Sequence, residues 1–126
     1  MSNSPKDLAM QWLDALSRRD RVRMDTLLAD DIVLYDPHYT PPLMVSKKTI
    51  VARMDSVFSF LKSMNWTVRR AWEDADSAVL EVDTHHVTVT DLVLEPPQVF
   101  VVYIKDGKIS SWKSFVPYPP PPVTAS

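Results

Sequence analysis

The chain has 126 residues, the size of one ordinary domain, which is enough to bury a core without disulfides or metals. Its 14 basic and 16 acidic residues give a formal net charge of -2, so it lacks the basic surface expected of a nucleic-acid-binding protein. The absence of cysteine excludes disulfides, thiolate nucleophiles and cysteine-based zinc sites, and no stretch approaches the roughly 20 apolar residues of a membrane span.

The first third of the chain is predicted to be mainly helical. Apolar residues recur at helical spacing behind Ser4-Pro5, an N-cap followed by proline, which predicts a helix over residues 5–18. A second, shorter helix follows and is expected to end at Asp30-Asp31. Residues 32–35 are then predicted to form a short strand that stops at Asp36-Pro37, because proline cannot continue a hydrogen-bonded ladder.

The rest of the chain is predicted to be one more helix and then a sheet. After a loop over 38–45, Ser46 is expected to cap a third helix that reaches about Lys62. Alternating or β-branched patterns then predict four strands, at residues 66–72, 78–90, 99–104 and 109–116. Asp106-Gly107 indicates a tight hairpin turn. Residues 117–126 contain five prolines and are expected to be extended.

The predicted order of helices and strands resembles that of the nuclear transport factor 2-like superfamily, in its ketosteroid isomerase and SnoaL-like branches. Two stretches of the sequence carry this resemblance. LLADDIVLYDP is similar to the family's segment that ends in Asp-Pro, and YIKDGKISSWKSF is similar to its closing hairpin. The resemblance implies a cone-shaped α+β domain over 1–116, followed by a proline-rich tail over 117–126. In that fold the N-terminal helices pack in a strongly curved, mostly antiparallel sheet, which leaves a conical pocket for a small hydrophobic molecule.

Asp36 is the first candidate catalytic residue. A solvated turn residue before Pro37 is the simpler interpretation, but the resemblance places Asp36 at the position of the ketosteroid isomerase general base. The oxyanion hole of that enzyme is not reproduced, because Trp12 stands at the position of its tyrosine and Phe100 at that of its protonated aspartate. The base is therefore expected to work with a different electrophile.

His86 is the second candidate catalytic residue. It lies with His85 on the predicted strand over 78–90, where alternation sends the two side chains to opposite faces. His86 shares its face with Leu80 and Val82, so it is expected to point into the pocket and to donate to, or protonate, an oxygen of the ligand. A structural histidine is the alternative. No metal site is expected, because adjacent histidines on a strand point apart.

The remaining candidates are predicted to line the pocket. The expected substrate-binding residues are Trp12, Met54, Phe58, Phe100 and Trp112. An ordinary core role is the simpler interpretation for Met54, Phe58 and Trp112, which become cavity wall if the pocket is present. His38, Tyr39 and Arg53 lie where the loop and the third helix can rim the pocket, although an ordinary surface or hinge role is the simpler interpretation for each.

These features predict a cofactor-independent acid–base enzyme, an isomerase, cyclase or dehydratase, acting on a hydrophobic oxygenated small molecule such as a polyketide or terpenoid intermediate. Asp36 is expected to remove a proton next to a carbonyl, and His86, helped by Trp12, to stabilise or protonate the oxygen. No metal, cofactor, nucleic acid or membrane is expected as a partner, and a homodimer in the cytoplasm is expected.

The sequence is also compatible with two other functions. One is a non-catalytic binding or dimerisation module whose outer sheet face carries Glu81, Asp83 and His85. The other is an epoxide hydrolase of the same fold, which would need a second pocket carboxylate and an arginine. Asp83 with Arg53 or Arg69 could fill that role only if Asp83 faced inward, and the alternation of the strand places it outside.

Overall fold

The computed structural model describes residues 3–117, so the predicted proline-rich tail lies, from residue 118 on, outside the described residues. Within them, three helices flank a seven-stranded sheet. The helices are α1 (Pro5–Arg18), α2 (Arg21–Leu27) and α3 (Lys47–Phe60). The strands are β1 (Leu28–Tyr35), β2 (Leu43–Val45), β3 (Leu61–Glu73), β4 (Ser77–Thr88), β5 (Val93–Leu94), β6 (Pro97–Lys105) and β7 (Lys108–Phe115).

The helices begin where the sequence provides caps. The Ser4 hydroxyl accepts from the Asp7 backbone N–H at 3.2 Å, and Pro5 follows at the first helical position, as predicted for α1. The Ser46 hydroxyl accepts from the Thr49 N–H at 3.2 Å at the start of α3. These caps satisfy backbone donors that a helix leaves unpaired, so both helix starts are fixed locally.

The predicted boundary between the second helix and the first strand is wrong. The strand β1 begins at Leu28, not at residue 32, because Leu28 is buried and pairs in register with Ile109 of β7. This pairing is parallel, whereas the other strand pairs are antiparallel. The predicted third helix is also too long, since α3 ends at Phe60 and β3 starts at the next residue.

The sheet is curved and mixed, with strand order β2-β1-β7-β6-β4-β3 and with β5 paired to β4. The predicted turn between β6 and β7 is confirmed: Asp106 and Gly107 have φ values of 53° and 75°, the positive values that a type I′ turn requires. The inner face of the sheet packs on α1 and α3, so the predicted α+β cone is confirmed.

Arg19 ties the end of α1 to the end of α3. It adopts a left-handed conformation (φ 56°), and its guanidinium donates to the carbonyl oxygens of Phe58 (2.9 Å), Leu61 and Lys62. The same guanidinium lies over the Phe58 ring, 5.1 Å from its centroid. It thus provides a charged donor for carbonyls in the last turn of α3 and at the start of β3.

We expect Arg19→Ala to lower the free energy of unfolding by about 1–2 kcal/mol, because the carbonyls lose a charged donor and the ring loses its cation. Alanine keeps a Cβ, so backbone strain at this position is unchanged. Urea unfolding measures the effect. Arg18→Ala is the control: its ion pair with Asp14 is exposed and its loss is expected to cost less than about 0.5 kcal/mol. Equal effects of the two substitutions would contradict the assigned role of Arg19.

Candidate functional site

A cavity of about 500 Å³ opens between α1, α3 and the inner face of the sheet, and most of its wall is apolar. Four of the five predicted lining residues are in this wall: Trp12, Met54, Phe100 and Trp112. The ring centroids of Trp12 and Trp112 lie 6.5 Å apart, and those of Phe100 and Trp112 lie 4.9 Å apart. The three rings form one rigid apolar side of the cavity.

Phe58 is a correction to the predicted wall. It is buried, but it lies outside the cavity lining that the described residues form, beneath the guanidinium of Arg19. On α3 the cavity side is instead occupied by Met54 and Val57, which are three residues apart and therefore share a helix face. Phe58 belongs to the core rather than to the site.

Asp36 stands where β1 gives way to a loop. Its backbone N–H donates to the Pro42 carbonyl at 2.9 Å, and its own carbonyl accepts from the Tyr39 N–H at 3.1 Å, so the loop folds back on the strand end. The side chain is only 15% exposed and lines the cavity. The structure therefore places a carboxylate in the polar part of an otherwise apolar wall.

His38, two residues further along the loop, donates hydrogen bonds to this carboxylate. The Asp36 Oδ1 atom accepts from the His38 backbone N–H at 2.9 Å and from its Nδ1 at 2.8 Å. A carboxylate can only accept, so Nδ1 carries the proton. The hydrogen bond to Asp36 raises the pKa of His38, and the charge of Asp36 adds to the effect, against the opposing effect of burial. The sequence offered His38 only as a rim residue, and the pairing went unpredicted.

Tyr39 and Arg53 complete the polar rim beside Asp36, and both line the cavity. The Arg53 guanidinium lies 5.9 Å from the centroid of the Tyr39 ring and donates to the Thr40 carbonyl at 3.4 Å. Burial, with a smaller contribution from the charge of Asp36, raises the pKa of the Tyr39 phenol far above its usual range. The phenol therefore stays protonated and is a hydrogen-bond donor at any physiological pH.

His86 lines the opposite part of the cavity from β4, as the alternation of that strand predicts. Its Nδ1 accepts from the Asn65 backbone N–H at 3.3 Å, and its ring meets Trp66 edge to face at a centroid distance of 4.7 Å. Burial lowers the pKa of His86 to about 4, against a smaller opposing contribution from a hydrogen bond with the His85 backbone. The ring is therefore neutral at pH 7, and because Nδ1 accepts, the proton is on Nε2, which is a donor for a ligand.

The outer face of the sheet carries the residues that the rival functions would use. Asp83 pairs with Arg69, and His85 with Glu95 at 3.3 Å between Nδ1 and Oε2. Among residues 3–117, Asp36 is the only carboxylate in the cavity wall. The second carboxylate that an epoxide hydrolase would need is therefore not supplied by Asp83.

Two further features of the described residues concern metal ions and membranes. Within the described part of the chain, no three His, Asp or Glu side chains are grouped so that they could hold a metal ion. None of the described helices is both long enough and apolar enough to cross a membrane.

The low pKa of His86 gives a pH dependence of stability. In the unfolded chain the pKa of the imidazole is near its ordinary value of 6.5, whereas in the fold the ring stays neutral down to about pH 4. Between these values the unfolded state binds more protons, so stability is complete above about 6.5 and is lost as the pH falls toward 4. Denaturant unfolding at several pH values should show this loss in the wild type and less of it in His86→Phe. Parallel pH profiles would show that His86 is not buried in its neutral form.

The sequence of the chain is similar to that of a known domain family. The model of the SnoaL-like domain family matches residues 9–112. No curated protein is detectably similar to the chain in sequence.

The solved structures that resemble the chain share its fold at low sequence identity. A LEH-like epoxide hydrolase from M. tuberculosis is 16% identical, with 87% of this chain and 80% of that chain covered and a TM-score of 0.78. A putative SnoaL-like polyketide cyclase from Shewanella denitrificans OS-217 is 13% identical, with 89% of each chain covered and a TM-score of 0.79. A computationally designed 17-OHP binder is 16% identical, with 89% of this chain and 92% of that chain covered and a TM-score of 0.79. At such identities these likenesses establish the cone-shaped fold.

Proposed function

The chain belongs to the SnoaL-like domain family, and from that premise we propose that it is a cofactor-independent acid–base enzyme acting on a hydrophobic, oxygenated small molecule. A polyketide or terpenoid intermediate would have this chemistry. The observation that carries the proposal is the placement of one carboxylate, Asp36, and one neutral imidazole, His86, in the wall of the same largely apolar cavity. The charge of Asp36 acts on His86, so the two groups are within electrostatic reach.

The proposed first step is removal of a proton from the carbon next to a ligand carbonyl. The His38 backbone N–H and Nδ1 both donate to Asp36 Oδ1, and the proposal assigns the proton transfer to the other carboxylate oxygen, Oδ2. The electrons of the C–H bond form the enolate, and the negative charge that develops on the carbonyl oxygen is stabilised by the Nε2–H of His86. The protonated Asp36 then returns the proton.

The enolate can continue in three ways, and each keeps atoms and charge balanced. Return of the proton from Asp36 to a different carbon of a conjugated enolate gives an isomer. Attack of the enolate carbon on a second carbonyl gives a ring whose alkoxide takes the proton from Asp36. Loss of a β-hydroxyl, protonated by Asp36 as it leaves, gives water and a dehydrated product. All three share the same first step. An experiment on that step therefore tests the proposal without knowledge of the natural substrate.

The test is deuterium incorporation into α-tetralone, a bicyclic ketone small enough for the cavity, followed by proton NMR in D₂O. The wild type is expected to accelerate loss of the signal of the CH₂ group next to the carbonyl. No acceleration by a protein that binds the ketone would contradict the proposal and favour the alternative of a non-catalytic binding module. That alternative is supported by Trp12 and Phe100, which replace the two donors of the ketosteroid isomerase oxyanion hole.

The proposed assembly is a homodimer formed through the outer face of the sheet. Exposed aromatic side chains, Tyr103 and Phe115, lie on β6 and β7 and fit such an interface. Sedimentation equilibrium tests it, and a monomer at all concentrations would contradict it.

A further inference from the structure

One polar pair on the inner face of the sheet is not used by the proposed reaction. Thr84 of β4 is 3% exposed and Gln98 of β6 is 6% exposed, yet both line the cavity. The Thr84 hydroxyl donates to Gln98 Oε1 at 2.8 Å. Two polar side chains this deeply buried among apolar neighbours require a reason, because burial of an amide is costly unless its groups are hydrogen-bonded.

The amide of Gln98 is only half satisfied by this contact. Its oxygen accepts from Thr84, but no described residue accepts from its NH₂ group. The hydroxyl of Thr84 thus fixes the orientation of the amide and turns its donors toward the cavity. The NH₂ group is open to the cavity, where it can donate to a ligand oxygen, and a ligand that covers it without an acceptor would leave it unpaired.

A second unpaired donor belongs to the neighbouring strand. Trp66 of β3 is the register partner of Thr84, and its indole Nε1 is buried without a hydrogen-bond partner among residues 3–117. Trp66 also lines the cavity. The strands on either side of β4 therefore each carry a cavity-lining residue with an unpaired N–H donor.

The Thr84–Gln98 pair is separate from His86. Thr84 and His86 both face inward on β4 and are two residues apart, which is a spacing of about 7 Å along a strand. Gln98 itself is the register partner of Val82, so its side chain extends diagonally along the sheet to reach Thr84. The cavity therefore offers hydrogen-bond donors at two places on one apolar surface.

We propose that the Thr84–Gln98 pair is a second oxygen-binding subsite, which takes a ketone or hydroxyl oxygen of the ligand about 7 Å from the oxygen held by His86. The assignment rests on the proposed function, in which His86 holds the first oxygen. It narrows the substrate class to hydrophobic molecules with two separated oxygen groups. A ligand with one oxygen leaves the Gln98 donors buried and unpaired, and so binds less well.

The test compares two fluorescent ligands in binding titrations. One is β-naphthol, with a single hydroxyl, and the other is the naphthalenediol that carries a second hydroxyl on the far ring. The wild type is expected to bind the diol about five- to tenfold more tightly, the difference that one neutral hydrogen bond makes. Gln98→Leu is expected to remove this preference while affinity for β-naphthol changes by less than about threefold.

Two further variants make the result specific to the pair. Thr84→Val removes the hydroxyl that orients the amide while keeping the branched shape of the side chain, and it is expected to reduce the preference for the diol. Thr88→Val makes the same change at another buried threonine of β4, outside the cavity lining, and is expected to keep the preference.

Either of two outcomes would overturn the proposal. One is equal binding of β-naphthol and the naphthalenediol by the wild type, an outcome that does not depend on the folding of any variant. The other is a Gln98→Leu protein that retains the preference. Because the measurement is binding, Asp36→Asn is expected to keep the preference for the diol. Failure of this subsite and failure of the proposed catalysis would thus be seen separately.

Discussion

Asp36→Asn is expected to slow deuterium incorporation into α-tetralone by about 10²- to 10⁴-fold, the usual contribution of a positioned general base. Asparagine has the shape of aspartate, and its Oδ1 can still accept from the His38 backbone N–H that now bonds Asp36 at 2.9 Å. The turn at the end of β1 should therefore persist. What is lost is the basic oxygen, so the rate measured by proton NMR falls while the cavity keeps its form.

The matched control is Asp83→Asn, which makes the same change on the outer face of the sheet, where Asp83 pairs with Arg69. It is expected to leave the exchange rate within about twofold of the wild type, because an exposed ion pair contributes little. Urea unfolding of both variants checks that each is folded. An Asp36→Asn protein with the wild-type rate would show that another group removes the proton, and the proposed function would then fail.

Local patterns predicted those parts of the fold that local chemistry determines. The cap at Ser4 and the pair Asp106-Gly107 fix a helix start and a turn by themselves, and both were located from sequence. The start of β1 was not, because Leu28 becomes a strand residue only by pairing with Ile109, which lies far away in the chain. Long-range pairing of this kind leaves no signal in a single sequence.

The same distinction applies to the site. The inward position of His86 follows from the period of two along β4, which is a local property. Asp36 came from a family resemblance. The contact of Thr84 with Gln98 depends on the register between β4 and β6, which sequence does not specify, so no single pattern could have found it. The partner of Asp36, His38, was near in sequence, but only the turn after Pro37 brings its ring to the carboxylate.

The misplacement of Phe58 has a similar cause. Helical spacing groups residue 58 with residue 54, and this is correct as a statement about the helix. Which of the two faces a cavity depends on how α3 is rotated against its neighbours. Here Arg19 covers the Phe58 ring, so Met54 alone of the two reaches the cavity.

His86→Phe is expected to slow the exchange of α-tetralone by about 10²-fold, because the developing enolate oxygen loses its donor at Nε2. Phenylalanine keeps an aromatic ring against Trp66, but the Asn65 N–H loses its acceptor, so thermal unfolding should be measured alongside the rate.

His86→Gln separates the effect of the donor from that of the ring, since its amide can donate to the oxygen. Its exchange rate is expected to stay within about tenfold of the wild type.

The ionisation state of His86 provides an independent test of its role as a neutral donor. A neutral donor with a pKa of about 4 predicts that deprotonation of His86 produces no fall in rate above pH 5. A descending limb that His86→Gln abolishes would show that the imidazolium is the active form. A His86→Phe protein with the wild-type rate would instead remove His86 from the mechanism. Another donor in the cavity would then stabilise the oxyanion, and the protonated phenol of Tyr39 is a cavity-lining group that can donate in this way.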